Sequence, residues 1–433
     1  MIELPKFGKG ICLARVDRLL TALGIDRARL AARSIVVTGS NGKGSTSVFC
    51  EFIARSYGLT TGLFTSPHLF EFSERFRLNG IPVDQGRLAN AIEKVNAAIK
   101  SDREQGFGAF EAQFAVACVL FMEQSCDLMI FEAGIGGRYD PVRTVGSKVT
   151  AVVSVDLEHT ELLGNSLELI ALDKTDACAS GGTVIYGQNC LPLHDLIESY
   201  VANRGVSTRF VGRELLTHDI QYSPRAQTFD LGIGTLRFGV STRLLGSFQI
   251  NNAIVAAALV QQWLLSQGRL IEAEFIKAVR QGLPAARWPG RLETISDDPH
   301  IVIDVGHTPD GITQAIQSLD HLYPSRDWIA VVGVSRDKDV SKIIRLIARR
   351  FDKFVCARAH HKGSDPQVIA EKILQENPKA AILFQGDVAD AMGKTIEIAK
   401  RESRAVVVIG GLFLAAEFAV AFRGGDPKAL RFF

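Results

Sequence analysis

Short β-branched runs alternate with longer segments of helical period through most of the chain, the pattern of parallel strands covered by helices on both faces. Residues 34–38 (SIVVT) open it as a buried strand, and residues 127–131 (DLMIF) and 150–155 (TAVVSV) continue it. Each of the last two is followed by a Gly-containing or acidic loop, where functional residues of such sheets gather. From about 211 to 245 polar and apolar residues alternate with little helical period, which predicts antiparallel hairpins. Residues 249–265, rich in Ala and Val, predict a helix. Leu283-Pro284 and Trp288-Pro289-Gly290 then interrupt the chain, which places a domain boundary near residue 290. Beyond it, residues 301–305, 329–334, 353–357, 380–384 and 405–409 predict a smaller Rossmann-like sheet. Two units are expected, 1–290 with the antiparallel β region near 211–245, and 291–433.

The 433 residues are too many for one comfortable core. A content of 47% hydrophobic and 22% charged residues fits a globular chain rather than a disordered one. Lys and Arg number 49 against 47 Asp and Glu, so no global positive field is available to hold nucleic acid or an anionic membrane. Any anion site must be local. The opening MIELPKFGKG lacks the apolar core of a signal peptide, and no apolar run approaches the roughly 20 residues needed to span a bilayer. A cytoplasmic location is expected. Seven cysteines without a CxxC pair read as reduced core thiols, not zinc ligands or disulfides.

The strongest local signal is Gly39-Ser40-Asn41-Gly42-Lys43-Gly44-Ser45-Thr46, between a hydrophobic strand and a helix. Glycines let backbone N–H groups close around phosphate oxygens, the helix N-terminus adds its positive end, and Lys43 neutralises phosphate charge. The P-loop expression GxxxxGK[ST] fails here, because Val37 takes the first glycine position and Gly44 follows the lysine. A plain glycine turn is the alternative. Thr65-Ser66-Pro67-His68-Leu69 and Glu74-Arg75-Phe76-Arg77-Leu78-Asn79-Gly80 read by themselves as a proline turn and a solvated charge cluster. Glu132, beside Gly134, Gly136 and Gly137, sits where a carboxylate can serve as a hard-oxygen ligand for Mg²⁺, or merely cap a loop. His159 follows a strand and Lys174 lies on a helical stretch; alone, the first reads as structural and the second as exposed.

In combination and order these segments resemble the Mur ligase superfamily, and within it the dihydrofolate synthase/folylpolyglutamate synthase family. The matching segments are GSNGKGS, SPHL, EAGIGGRYD, LEHTELLG and IALDKTD, followed by WPGR at 288–291, DVGH at 304–307, DKD at 337–339 and GGLFLAAE at 410–417. The likeness spans nearly the whole chain. It implies an α/β fold in which a P-loop-type parallel-sheet ATPase domain is joined to a smaller C-terminal Rossmann-like α/β domain.

The resemblance further implies that the loop Gly39 to Thr46, with Lys43, holds ATP phosphates and that Asn252, Arg291, Asp304 and His307 hold the nucleotide. Ser66, Glu132 and His159 would bind Mg²⁺, and Lys43, His159 and Lys174 would be catalytic, Lys174 as the lysine carbamylated in many relatives. A monovalent cation belongs to the same pattern. Leu13, Arg15, Phe110, Glu111, Tyr139 and Asp140 would hold a pterin, with Phe110 a candidate to stack on its ring. The implied reaction phosphorylates a carboxylate with ATP and joins the acyl phosphate to glutamate, in a monomer.

The departures cluster at substrate and nucleotide contacts: Glu158 for Asp, Asp140-Pro141-Val142-Arg143 for DATN, Phe248 for the His of GxHQ, Thr308 for Asn, and Asp173-Lys174-Thr175-Asp176 for EKAG. Asp176 adds an anion near Lys174, which disfavours a carbamate. Beside folate ligation stand two alternatives, a ligase acting on another carboxylate, with a changed pocket around Phe110 and Arg143, and a non-catalytic nucleotide-binding protein.

Overall fold

The run SIVVT forms β1 (Ser34–Thr38), buried at all five positions because helical layers cover both faces of its sheet. The structure, a computed structural model, describes residues 4–5, 8–10, 12–102 and 106–432; part of the opening MIELPKFGKG lies outside them. The first sheet also contains β2 (Thr61–Phe64), β3 (Phe76–Leu78), β4 (Ile81–Pro82), β5 (Leu128–Glu132), β6 (Val149–Val152), β7 (Thr183–Tyr186) and β8 (Ser207–Phe210). Its order is β4-β3-β2-β5-β1-β6-β7-β8, parallel except for the β4-β3-β2 edge. β1 lies between β5 and β6, so chain crossings diverge on either side of it and open a crevice at its carboxyl end.

Helices Lys43–Ser56, Ser247–Ser266 and Glu272–Ala285 pack on one face of this sheet, and Leu13–Ala22, Gln85–Ser101 and Ala109–Glu123 on the other. Ser247–Ser266 and Ala109–Glu123 are buried around most of their circumference, in keeping with their Ala, Val and Phe content. The alternating region forms a three-stranded antiparallel sheet of β9 (Leu215–Tyr222), β10 (Gln227–Ile233) and β11 (Leu236–Thr242). Phe229, Leu231, Ile233, Phe238 and Val240 turn inward onto the first core.

The remaining strands are β12 (Glu293–Asp297), β13 (His300–Ile303), β14 (Trp328–Val332), β15 (Lys353–Arg358), β16 (Ala381–Asp387) and β17 (Ala405–Ile409), ordered β12-β13-β17-β14-β15-β16. Only the β12–β13 pair is antiparallel. Helices cover both faces of this second lobe.

Two strands fall differently from the sequence expectation. β5 starts and ends one residue later than expected, at Leu128 and Glu132, and keeps the Glu132 carboxylate at the sheet's carboxyl edge. β6 stops at Val152, which releases residues 153–159 to turn across the carboxyl edge. The strands β2, β7 and β8 and the β12 edge have no counterpart in the expectation, being only four or five residues long and mixed in polarity. The lobes interlock: Leu245 and Phe248 of the first pack into one core of the second, and Leu69 into the other. Among the described residues no helix is long and apolar enough to cross a membrane. All seven cysteines are free thiols, six of them buried.

Candidate active site

The carboxyl edges of both sheets face a single cleft of about 1510 Å³. At its floor, β1 runs into the glycine loop and helix Lys43–Ser56. Gly42 has φ +83°, and a Cβ there would lie 2.4 Å from Asn252 Oδ1. Both the left-handed turn and the approach of the neighbouring helix require glycine. A Cβ on Gly44 would meet the Trp288 indole at 3.0 Å, which accounts for glycine where the P-loop expression has Ser or Thr. Lys43 Nζ donates to the carbonyls of Gly39 (2.7 Å) and Ser40 (3.2 Å), so the ammonium is held over its own loop. Arg291 Nε, on the cleft wall, is buried without a hydrogen-bond partner, a donor placed to find one on a ligand, and Thr46 Oγ1 is likewise buried and unpartnered behind the loop.

The Lys43 charge acts on Glu132, Asp140, the adjacent pair Glu158 and His159, and His307, which come from four stretches of chain. Glu132 is 4% exposed and accepts one hydrogen bond, from Ser66 N at 3.0 Å. Burial pushes its carboxyl up to about 7, against the opposing pull of Lys43, Arg291 and Arg75. A buried carboxylate so sparsely satisfied fits a divalent cation. Among the described residues no three His, Cys, Asp or Glu side chains gather as a metal cage. Mg²⁺ commonly binds through one or two carboxylates together with phosphate oxygens and waters.

His159 caps the short helix Thr160–Leu163 at φ +44°, a conformation few side-chain-bearing residues adopt, and it lines the cleft. Burial, with Lys338, Lys43 and Lys174, holds its imidazole below the usual pKa against the pull of Glu158, which favours the neutral form that can ligate. Burial likewise lowers His307 to about 4, with Lys338, Arg291 and Lys43 acting in the same direction. Its Nδ1 lies 3.1 Å from the Val305 carbonyl, which assigns the proton to Nδ1 and turns Nε2 into an acceptor.

Of the residues expected at the site, all line this cleft except Gly39, Thr46 and Lys174. Lys174 corrects the expectation of an exposed lysine. It is completely buried, and its Nζ donates to Glu158 Oε1 at 2.8 Å while Glu158 faces the cleft. Burial opposes ionisation of Glu158, but Lys43 and Lys174 outweigh it and hold the carboxyl at about 2. Burial pulls the Lys174 ammonium down, opposed by Glu158. Asp176, expected to crowd Lys174, is instead bound by Arg138, Tyr200 and Arg204. Asp173 accepts from Gly137 N and Arg138 N, so this helix end braces the loop after β5.

The proposed pterin residues are largely engaged with one another. Arg15 Nη2 reaches Glu111 Oε1 at 2.6 Å, both buried, and Glu111 also accepts from Gly108 N. Asp140 accepts from Gly134 N, Ile135 N and Val142 N, shaping the loop on which exposed Tyr139 stands. Phe110 lies 5.6 Å from the Phe64 ring, half in the core and half in the cleft, and Leu13 joins it at the wall. Arg143 turns away, its Nη1 donating to the Arg138 carbonyl at 2.8 Å, and is no cleft residue. Asp304 pins the linker by accepting from Leu292 N and Gly306 N.

Sequence reasoning missed Arg75, which is 5% exposed rather than solvated, and Glu74, whose carboxylate accepts from the backbone of Leu69, Phe70 and Glu71. Its proximity to SPHL was the available signal.

Residues 290–412 match the family model "Mur ligase, glutamate ligase domain". The chain is 28% identical over 444 residues to a folylpolyglutamate synthase of Lacticaseibacillus casei, covering 98% of this chain and 97% of that one. It is 26% identical over 424 residues to a dihydrofolate synthase/folylpolyglutamate synthase of Bacillus subtilis, covering 95% of each. It also superimposes on a solved FPGS–AMPPCP–folate complex with a TM-score of 0.78 at 27% identity, covering 96% of this chain and 95% of that one. The chain is thus similar over nearly its whole length to proteins of the dihydrofolate synthase/folylpolyglutamate synthase family, and its second lobe to the Mur ligase glutamate ligase domain. As in those relatives, a mostly parallel-sheet lobe is followed by a smaller α/β lobe.

Proposed function

We propose that this chain is an ATP-dependent carboxylate–amine ligase that adds L-glutamate to dihydropteroate, reduced folates or both, releasing ADP and phosphate. The observation that carries this reading is the convergence of Lys43, Glu132, His159 and His307, from both lobes, on one cleft. The solved relative bound to both AMPPCP and folate supports the same pair of substrate classes.

A free carboxylate lacks a group that an amine can displace. Transfer of the γ-phosphoryl group makes an acyl phosphate as the bond to ADP breaks. The glutamate amine then attacks the acyl carbon, phosphate leaves and the nitrogen gives up a proton. Phosphoryl transfer of this kind is promoted by positioning and charge stabilisation. In this reading Lys43 and the loop from Gly39 to Thr46 hold the phosphates, with Asn252, Arg291 and His307 completing the nucleotide site. Asp304 fixes the linker turn that carries Arg291. Ser66, Glu132 and His159 would hold Mg²⁺, which supplies Lewis-acid neutralisation of phosphate charge when bound. The lobes together exclude water from the acyl phosphate.

A carbamate does not fit Lys174 as it stands, because its nitrogen is capped by Glu158 and a second anion would face that carboxylate and Asp173. We assign Lys174 the role of an unmodified ammonium holding Glu158 and, through it, the backbone of His159. Units 1–290 and 291–433 are proposed to act as the two jaws of a monomeric enzyme.

The test is phosphate release with ATP, glutamate and dihydropteroate, tetrahydrofolate or no pterin. Pterin-dependent release with stoichiometric amide product is expected. Release supported only by another carboxylate would overturn the folate reading, and none with any carboxylate would overturn the ligase.

A further inference from the structure

In the second lobe, helix Leu412–Phe422 and the turn Pro427–Ala429 bring residues 430–432 back across the cleft to the first lobe. There Arg75 Nη2 donates to the Phe432 carbonyl at 3.1 Å, while its Nε donates to His68 Nδ1 at 2.8 Å and its Nη1 to Gln113 Oε1 at 2.6 Å. Because His68 Nδ1 accepts, its proton sits on Nε2, which donates to the Arg431 carbonyl at 2.5 Å. The Phe432 side is as closely held: the residue is 2% exposed, its ring 4.6 Å from Phe413, 5.2 Å from His361 and nearly parallel to His68. Two consecutive backbone carbonyls of one lobe are thus read by a histidine and an arginine of the other.

The same stretch of the first lobe enters the second elsewhere. Leu69 lies in a core with Ile303, Val305 and Phe418, and the Arg423 guanidinium stands 5.2 Å over the Phe70 ring. Ser66, at the head of this stretch, donates its N–H to Glu132. Glu132 in turn feels the Arg75 charge. Residues 66–75 therefore run from the carboxylate at the sheet edge to the interlobe seam, and their far end, which Gln113 and the Thr65 backbone also hold, meets the second lobe at residues 430–432.

We propose that residues 430–432 form an interlobe clasp, a positioning element that couples closure of the two lobes to placement of the Ser66 loop against Glu132. Phe432, Arg75 and His68 are its working parts, and none of them touches the phosphate loop. The proposal rests on the ligase reading of the cleft. A loosened clasp leaves nucleotide binding in place but lets water rather than the amine take the acyl group, giving back the carboxylate and inorganic phosphate.

The experiment compares the full-length wild type with Phe432→Ala. Phosphate and amide product are measured in parallel, and the radius of gyration is measured by X-ray scattering with and without AMPPCP. Expected for Phe432→Ala are a fall of about tenfold or more in kcat, a KM for ATP within about threefold of wild type, more than one phosphate released per amide, and loss of nucleotide-induced compaction. Phe432→Tyr should restore coupling. One phosphate per amide together with wild-type compaction in Phe432→Ala overturns the clasp. Should Phe432→Ala fail to fold, Arg75→Lys keeps the charge and loses the guanidinium fork, and must uncouple in the same way; 1:1 coupling there overturns the proposal. The scattering readout needs no turnover, so failure of the ligase reading and failure of the clasp remain distinguishable.

Discussion

Asn41 Nδ2, at the crest of the phosphate loop, donates to Asp310 Oδ2 at 3.0 Å, across the seam between the lobes. Thr308 Oγ1 approaches Asn41 Oδ1 at 3.5 Å, so both ends of one amide are addressed by the N-terminus of helix Pro309–Leu322. The loop that would carry phosphate is therefore tied directly to the second lobe.

Asn41→Asp sets a carboxylate against Asp310, whose charge already acts on Asp156. Like charges at hydrogen-bond distance repel, and part of that cost falls on the closed arrangement. The expected result is a loss of about tenfold in ADP affinity by calorimetry and an enlarged radius of gyration. Asn41→Ala, which removes the tether without adding repulsion, should lose less. Unchanged ADP affinity in the Asp variant would mean that the seam does not bear on the nucleotide.

Among the described residues the Lys43 ammonium hydrogen-bonds to two carbonyls of its own loop, so Lys43→Ala removes chiefly charge. Turnover should fall by about 10²-fold or more, the scale of losing a preorganised electrostatic group, with the thermal midpoint little altered. Full residual turnover would remove Lys43 from the phosphate site.

Glu132 gives a pH-dependent prediction. Its folded pKa is raised to about 7 by burial, so the folded chain binds that proton more tightly than the unfolded chain. Stability from this group is present below the unfolded value of 4.5 and is lost as pH rises through about 7. The ligand-free wild type should be less stable at pH 8 than Glu132→Gln, by on the order of 1–3 kcal/mol, and the two should converge near pH 4. Magnesium with AMPPCP should raise the wild-type midpoint at pH 8 more than that of the variant. Equal magnesium effects on both would take Glu132 out of the metal site.

The strands around β1 were legible because SIVVT, LMIF and TAVV are β-branched or apolar runs bounded by turns, and the glycine loop because its spacing has a mechanism. The β9–β11 sheet was legible because half its residues must face a core. Long-range pairings left no such trace. Arg75 reads as a solvated charge until Phe432, 357 residues later, is known to receive it. Lys174 reads as exposed until Glu158 and the layers above it are placed, since its neighbours on the helix are themselves a mixture of Leu, Asp and Thr. Glycine at position 44 looked like a defect in a known pattern, and only the Trp288 indole explains it. Periodicity reports which face is inside; it does not report which buried charge meets which.

The Lys174–Glu158 pair yields a prediction about whether the lysine is modified. With its nitrogen buried and bound to a carboxylate at 2.8 Å, the lysine is satisfied as an ammonium, and Glu158 is the anion that faces the cleft. Protein equilibrated with ¹³C-bicarbonate should show no carbamate carbon by NMR. Lys174→Arg, which cannot carry a carbamate but can pair with Glu158, should keep activity within about tenfold. Lys174→Glu places two carboxylates together in a dry site and should cost more than Lys174→Arg in both stability and turnover. A carbamate resonance in the wild type, with activity lost in Lys174→Arg and regained by added short carboxylic acids in Lys174→Ala, would establish the modified lysine instead. Glu158→Gln supplies the complementary arm: it leaves the Lys174 ammonium buried without its counter-charge, so it should destabilise the fold more than Glu158→Asp does.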